Sequence, residues 1–148
     1  MTKRYLLDTN VISHMMVNAD GVVAKRAERS MKGTESAELC TSIVVHCELA
    51  FGLKKRPSAR LSAALNAQLA GLIVLPLDEA VVAHYANLRT QLESKGTPIG
   101  PNDALIAAHA LAIDATLVSA DAEFLRVPGL QVENWLEDKP TPGVEKSG

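Results

Sequence analysis

The sequence predicts an α/β fold, a three-layer sandwich in which helices flank a central, mainly parallel sheet of four to five strands. Short apolar runs alternate along the chain with longer segments of helical periodicity, which is typical of parallel strands joined by helices. Three predicted strands, at residues 5–7, 73–75 and 116–118, are short and apolar, as expected for strands buried on both faces. Aromatic residues make up only 3% of the chain, so the core must consist of Leu, Val, Ile and Ala.

The composition is that of one globular domain. The 148 residues include 47% apolar residues, enough for a core of their own. We expect residues 1–137 to form this domain and residues 138–148, which are rich in Pro, Gly and charge, to be a disordered tail. The formal net charge of −2 excludes attraction of nucleic acid by overall charge, so such contact needs a local basic patch or a bound cation.

A cytoplasmic protein without a membrane segment is expected. The longest nearly apolar run, residues 104–113, is too short to span a bilayer, and the first strand leaves no room for a signal peptide before it. Cys40 and Cys47 lie in apolar surroundings and are expected to be buried free thiols.

The elements follow from apolar periodicity and from the turn residues between them. In the first half we predict a strand at 5–7, helices at 11–16 and 22–31, a strand at 38–42, and helices at 43–53 and 59–72. Asn10 is the expected N-cap of the first helix, and Thr41 or Ser42 that of the third.

In the second half the clearest helix follows Asp78, its expected N-cap, and ends at Gly96. Its apolar residues share one face: Val81, Tyr85, Leu88 and Leu92. The remaining predicted elements are strands at 73–75, 116–118 and 130–132, a helix at 102–113 and a helical turn at 123–126. The helix at 102–113 is apolar on all sides, so it should be the most buried one.

Acidic residues stand where a site would form in such a sheet, outside the carboxyl ends of its strands. Asp8 and Asp121 follow predicted strands, Asp103 opens the most apolar helix, and Glu48 lies in another apolar helical stretch. Buried charges are seldom unpaired, so a cation is expected if the four converge. A cluster of oxygen ligands suits Mg²⁺ or Mn²⁺, and metal-assisted phosphodiester hydrolysis is its main chemistry.

Each of these acids also has a purely structural explanation. Asp8 could cap the first helix, Asp103 could stabilise a helix N-terminus through the helix dipole, and Asp121 could begin a turn. Glu48 could point to solvent. The four together indicate a site more specifically than any one of them does.

Four segments of the sequence resemble the PIN-domain family and, within it, the VapC toxins of bacterial toxin–antitoxin pairs. They are LDTNVIS at 7–13, ELAFG at 48–52, PIGPNDALIA at 98–107 and LVSADAEF at 117–124, the last followed by VPGL. The match runs in order from about residue 5 to 136, and the loop and helix at 98–107 carry its most specific motif.

The resemblance implies the toxin of a type II toxin–antitoxin pair. Such a toxin would be a Mg²⁺- or Mn²⁺-dependent endoribonuclease that cleaves structured RNA, often tRNA, forms a homodimer and is neutralised by a small antitoxin. The four acids match those of the family, with Asp8, Asp103 and Asp121 as metal ligands. Glu48 would complete the set or orient the attacking water. The family's polar support matches Thr9, Asn10 and Ser119, although its usual Thr-Asn before the fourth acid is replaced here by Ser119-Ala120.

Substrate and partner contacts are expected around this site. RNA phosphates would be steered by one of two basic groups, Lys54, Lys55 and Arg56 or Lys25, Arg26 and Arg29. An acidic pocket that binds a cation should also accept a cationic side chain, so we expect the antitoxin to insert an Arg or Lys. The alternatives are a catalytically inactive PIN-like binding module and a metal-dependent DNA nuclease or phosphatase.

Overall fold

The structure, a computed structural model, describes residues 2–32 and 37–137. The predicted tail at residues 138–148 lies outside these ranges. The described strands are β1 (Lys3–Leu7), β2 (Ala37–Ser42), β3 (Ile73–Leu75), β4 (Thr116–Val118) and β5 (Val132–Glu133). The described helices are α1 (Thr9–Val17), α2 (Val22–Lys32), α3 (Ile43–Lys55), α4 (Ala59–Ala70), α5 (Ala80–Ser94) and α6 (Pro101–Ala112), with 3₁₀ turns at Ala122–Arg126 and Trp135–Glu137.

The strands form one sheet in the order β3-β2-β1-β4-β5. β1 lies at its centre, where Leu6 pairs with Cys40 of β2 and Leu7 pairs with Val118 of β4. Every pairing is parallel, so the described strands all end at the same edge of the sheet. The predicted α/β fold with a parallel sheet flanked by helices is confirmed, and its sheet has five strands.

The core is mainly aliphatic, as the low aromatic content predicted, but Tyr5, Phe124 and Trp135 are also buried in it. Leu6 and Leu7 of β1 and Leu117 and Val118 of β4 are completely buried. α6 is the most buried helix, as predicted, and its buried residues are Ala104, Ile106, Ala107, Ala108, His109 and Ala110. No helix within residues 2–32 and 37–137 is long and apolar enough to cross a membrane.

Polar side chains fix the starts of two helices near the strand ends. Ser42 is the N-cap of α3, since its hydroxyl accepts a 3.1 Å hydrogen bond from the Val44 backbone N–H. The Thr41 hydroxyl instead donates to the Leu7 carbonyl at 2.7 Å and so ties β2 to β1. The Asp78 carboxylate accepts from the Ala80 N–H at 2.9 Å and so supports the start of α5, although Glu79, not the predicted Asp78, occupies the N-cap position.

Some predicted boundaries and exposures were wrong. β3 is an edge strand that pairs only with β2, so Ile73 is 49% exposed instead of buried. The last strand is Val132–Glu133 instead of 130–132, because the Leu130 N–H still donates to the Val127 carbonyl within a turn. Cys40 is buried as predicted, whereas Cys47, on α3, is exposed instead of buried.

Candidate active site

Carboxylates gather at the carboxyl ends of β1 and β4. We call this group the acid cluster; its members are Asp8, Glu48, Asp103, Asp121 and Glu123. The first four are the acids that the sequence predicted, and Glu123 was missed. They come from the end of β1, from α3, from the first turn of α6 and from the segment after β4. The parallel pairing of β1 with β4 is what brings the first and last of these segments together.

Asp8 is the most buried acid of the cluster, with 4% of its surface exposed. Its backbone N–H donates to the Val118 carbonyl at 2.9 Å, which continues the pairing of β1 with β4 by one residue. Its Oδ2 accepts hydrogen bonds from the Ser119 hydroxyl at 2.7 Å and from the Asn10 side-chain N–H at 3.2 Å. Burial raises the pKa of the Asp8 carboxyl, and the Ser119 hydrogen bond partly opposes that shift.

Asn10 is not the N-cap of α1, contrary to prediction. The helix begins at Thr9 with Asp8 at the N-cap position, and the Asn10 side chain links two strand ends instead. Its Oδ1 accepts from the Ala120 backbone N–H at 3.0 Å, while its Nδ2 donates to Asp8 and, at 3.3 Å, to Ser119. A tertiary role therefore replaces the local capping role that the sequence suggested.

Asp103 lies at the third position of α6, after a Pro101 that suits the first position of a helix. The carboxylate is half-buried, and the pKa of Asp103 is raised from 3.8 to about 6. Burial is the main cause, and the negative charges of the other four members of the acid cluster are the next ones. All the charged groups that shift this pKa are carboxylates, so the cluster strongly disfavours full ionisation without a cation.

Glu48 reaches the cluster from α3 and is held there by a neighbouring hydroxyl. The Thr9 hydroxyl donates a 2.8 Å hydrogen bond to Glu48 Oε1, and both residues are half-buried. Glu48 does not point away to solvent, because the Thr9 hydrogen bond holds its half-buried carboxylate, whose charge also contributes to the raised pKa values of Asp8 and Asp103.

Asp121 and Glu123 form one compact arrangement with Asp103. One carboxylate oxygen from each of the three lies within 4.8 Å of the others. The Asp121 carboxylate accepts from the Glu123 N–H at 2.9 Å, which starts a 3₁₀ turn and fixes the second acid near the first. The signal for Glu123 in the sequence was an acid two positions after another acid, directly behind a strand.

The donor set fits a hard divalent cation. Carboxylate oxygens are the ligands that Mg²⁺ and Mn²⁺ prefer, and three of them already lie within a distance that one ion could bridge. Asp8 was predicted as a ligand together with Asp103 and Asp121, but the tight group contains Glu123 in its place. Asp8 lies outside this group of three but close enough for its charge to raise the pKa of Asp103.

The two predicted basic groups differ in their surroundings. Arg26 pairs with Glu133 at 3.3 Å, and its guanidinium lies 4.9 Å from the centre of the Trp135 ring, so it helps to fasten the last strand. Lys54, Lys55 and Arg56 are exposed at the end of α3, the helix that carries Glu48. The group of Lys54, Lys55 and Arg56 is therefore the one that lies on the same helix as a member of the acid cluster, or directly after it.

Comparison with known proteins gives the chain a family. The PIN domain matches residues 5–130. Ribonuclease VapC2 of Rickettsia felis is 35% identical over 133 residues, which are 88% of this chain and 97% of that protein. The tRNA(fMet)-specific endonuclease VapC of Salmonella typhimurium is 30% identical over 135 residues, 89% of this chain and 98% of that protein.

Solved structures agree with this relationship. The crystal structure of VapBC2 from Rickettsia felis, bound to a DNA fragment from its promoter, contains a chain that superimposes with a TM-score of 0.82 and 34% identity. The match covers 89% of this chain and 98% of that one. VapBC-1 from nontypeable Haemophilus influenzae gives a TM-score of 0.79 and 30% identity, over 90% and 99% of the two chains. The chain therefore belongs to the PIN-domain family and, within it, to the VapC group.

Proposed function

We propose that this chain is the toxin of a type II toxin–antitoxin pair and that it hydrolyses RNA phosphodiesters with a divalent cation. The observation that carries the proposal is the acid cluster, in which carboxylates from four chain segments meet at the end of a parallel sheet. Relatives at 30–35% identity are named as ribonucleases, which supports RNA as the substrate. Residues 1–137 would constitute the nuclease domain of a cytoplasmic homodimer.

The cation would be Mg²⁺ or Mn²⁺, held by Asp103, Asp121 and Glu123, with Asp8 beside them. When bound, such an ion lowers the pKa of water and neutralises charge that develops on the phosphate. Glu48 would orient the attacking water and accept its proton, because Thr9 fixes its carboxylate at the edge of the cluster. Ser119 and Asn10 would hold Asp8 in place, as hydrogen-bond partners of metal ligands do.

The matched test of this ligand set uses two glutamates. Glu123→Gln should weaken Mg²⁺ binding measured by calorimetry, because it replaces one of the three nearest carboxylates with a neutral amide. Glu93→Gln is the control, since Glu93 is an exposed acid of α5 that pairs with Arg89. Equal Mg²⁺ affinity of the two variants would exclude Glu123 from the site.

A cognate antitoxin is the proposed protein partner. The solved relatives include VapBC complexes, and an acid cluster without its cation would attract an Arg or Lys from such a partner. We therefore expect the antitoxin to insert a basic side chain near Asp8, Asp103 and Asp121 and to weaken Mg²⁺ binding. A toxin–antitoxin complex that binds Mg²⁺ as tightly as the toxin alone would contradict this.

The RNA substrate is proposed to be tRNA. The Salmonella typhimurium relative, 30% identical to this chain, is named as specific for tRNA(fMet). Mapping of 5′ ends in cellular RNA after induction of the protein, against an Asp8→Asn control, would identify the target. Cuts confined to tRNA in the active protein would support the proposal, and cuts spread over other RNAs would contradict it.

The experiment that tests the activity itself uses purified protein. We expect cleavage of total tRNA in Mg²⁺ or Mn²⁺, none in EDTA and none by Asp8→Asn. Single-stranded DNA and RNA of the same sequence, supplied in parallel, distinguish a ribonuclease from a DNA nuclease. Absence of cleavage from a wide RNA panel in either metal would leave an inactive binding module as the better description.

A further inference from the structure

An open groove adjoins the acid cluster along α3. It has a volume of about 700 Å³, and its lining includes Thr9, Cys47, Glu48, Phe51, Asn102 and Leu105. Glu48 belongs to both the acid cluster and the groove, and Thr9, which donates a hydrogen bond to Glu48, also lines the groove. A substrate bound at the acid cluster can therefore also contact this groove.

Phe51 is the unusual residue of the groove. The chain has only five aromatic residues. Tyr5, Phe124 and Trp135 are buried and Tyr85 is half-buried, whereas Phe51 is 64% exposed. The one freely accessible aromatic ring of the molecule thus lies about one helical turn from Glu48 along α3 and lines the same groove.

A positive charge lies over one face of this ring. The Lys55 ammonium lies 5.3 Å from the centre of the Phe51 ring, and both Lys54 and Lys55 are exposed. Glu48, Phe51 and Lys55 follow one another at helical spacing, so α3 presents an acid, an aromatic ring and a cation in line. Asn102 adds an exposed amide on the facing side, with both a donor and an acceptor.

We propose that this groove binds the nucleotide adjacent to the scissile phosphate, with its base stacked on Phe51 and a phosphate near Lys55. The inference rests on the proposed ribonuclease activity and adds a specific subsite to it. Proteins read single-stranded RNA by stacking splayed bases on aromatic rings and by pairing phosphates with cations. A nucleotide matches both Phe51 and Lys55, because its base is a flat apolar surface that can stack on the ring and its phosphate is an anion that can pair with the ammonium. Asn102 then contacts the edge of the base.

The test uses a short RNA that spans a cut site of the wild-type enzyme, together with copies that are abasic at each nucleotide next to the cut. Phe51→Leu should lower kcat/KM on the intact RNA by about tenfold, the size expected for one lost base–aromatic stack. On the RNA that lacks the stacked base, the same substitution should change kcat/KM by less than about twofold, because the contact is already absent.

Three further variants make the result specific. Phe51→Tyr should restore kcat/KM to within about twofold of wild type, since a tyrosine ring stacks equally well. Val82→Ala, at a 64% exposed position on α5, should leave kcat/KM unchanged. Lys55→Gln should reduce both RNA affinity and its dependence on salt, while Lys95→Gln, an exposed lysine after α5, should change neither.

Several outcomes would overturn the inference. Phe51→Leu could lower kcat/KM by the same factor on every abasic RNA, which would exclude a base contact. Its effect could follow dissociation of a homodimer, measured by light scattering, and the ring would then belong to an interface between copies. It could weaken antitoxin binding and leave RNA cleavage intact, which would assign the patch to the protein partner. A wild-type enzyme that cleaves no RNA overturns the proposed function as well, whereas an active wild type with an equally active Phe51→Leu overturns only the subsite.

Discussion

The hydroxyl of Ser119 donates a 2.7 Å hydrogen bond to Oδ2 of Asp8, although the two residues are 111 positions apart in the chain. The Ser119 hydroxyl oxygen in turn accepts from the Asp121 backbone N–H at 3.1 Å and from the Asn10 side-chain N–H at 3.3 Å. A serine hydroxyl has one donor and two acceptor sites, so its hydrogen-bonding capacity is fully used. One small side chain thereby sets the position of two acids relative to each other.

Ser119→Ala should therefore impair both stability and activity. The substitution leaves a buried Asp8 oxygen and the Asp121 N–H without this partner, at a cost of about 1–3 kcal/mol in the free energy of unfolding. RNA cleavage should fall by about 10- to 100-fold, as is usual when the support of a metal ligand is removed. Chemical denaturation and cleavage rates check the two effects. Ser94→Ala, at an exposed position on α5, is the control, and equal behaviour of the two variants would contradict the role of Ser119.

Asp103→Asn should abolish RNA cleavage without destabilising the metal-free protein. The substitution removes a carboxylate that is repelled by the other acids, so the melting temperature in EDTA should stay equal or rise. Saturating Mg²⁺ should stabilise the wild type by about 2.7 kcal/mol at 100 times the dissociation constant, and the variant by less. Thermal melts with and without Mg²⁺ provide the comparison. A variant that melts much lower in EDTA would show that Asp103 mainly stabilises the start of α6.

The stability of the metal-free protein should increase as the pH is lowered below neutrality. The pKa of Asp103 is about 6 in the folded protein and 3.8 ordinarily, so the folded state binds the proton more tightly than the unfolded one. Above pH 6, ionisation of Asp103 lowers the free energy of unfolding by its full amount. This destabilisation disappears as the pH falls from 6 towards 3.8. The pKa of Asp8 is raised too and acts in the same direction. Urea unfolding in EDTA between about pH 5 and pH 8 measures the slope. Asp103→Asn should reduce this change of unfolding free energy with pH. A metal-free wild type that loses stability as the pH is lowered over this range would refute the raised pKa of Asp103.

The two cysteines should react very differently with thiol reagents. Cys47 is exposed, whereas Cys40 is buried and its pKa is raised to about 12, mainly by burial. The folded protein should therefore show one fast-reacting thiol and the unfolded protein two, counted with a chromogenic disulfide. Cys47→Ser should remove the fast reaction. Because Cys47 lines the groove beside Glu48, a bulky label there should also inhibit RNA cleavage. Retained activity in the labelled protein would show that substrate does not use the groove.

Much of this molecule could be predicted from its sequence where local patterns determine structure. The apolar runs of β1 and β4 and the all-apolar face of α6 are consequences of side-chain chemistry alone, and their strands and helix formed as predicted. Ile73 shows the limit of such patterns. Three consecutive apolar residues can form either a central strand or an edge strand. Only the strand order of the sheet shows that β3 is an edge strand.

The same limit applies to the acid cluster. Asp8, Glu48, Asp103 and Asp121 could be proposed because each stands at an element boundary or in an apolar segment. Glu123 was missed because it lies within a predicted helical turn, and only the hydrogen bond from its N–H to the Asp121 carboxylate shows that the turn brings it near Asp103. Asn10 has an equally good local role as a helix cap, and only the adjacent end of β4 supplies the partners that it binds instead.

The central position of β1 determines how late in translation the acid cluster can form. Asp8 leaves the ribosome early, but its neighbours in the sheet and in the acid cluster, from β4 and the turn behind it, are made near the end. An incomplete chain can fold neither the Asp8–Ser119 contact nor the group formed by Asp103, Asp121 and Glu123. A chain that ends before β4 therefore cannot assemble the acid cluster, which is complete only when residues 116–123 have been synthesised.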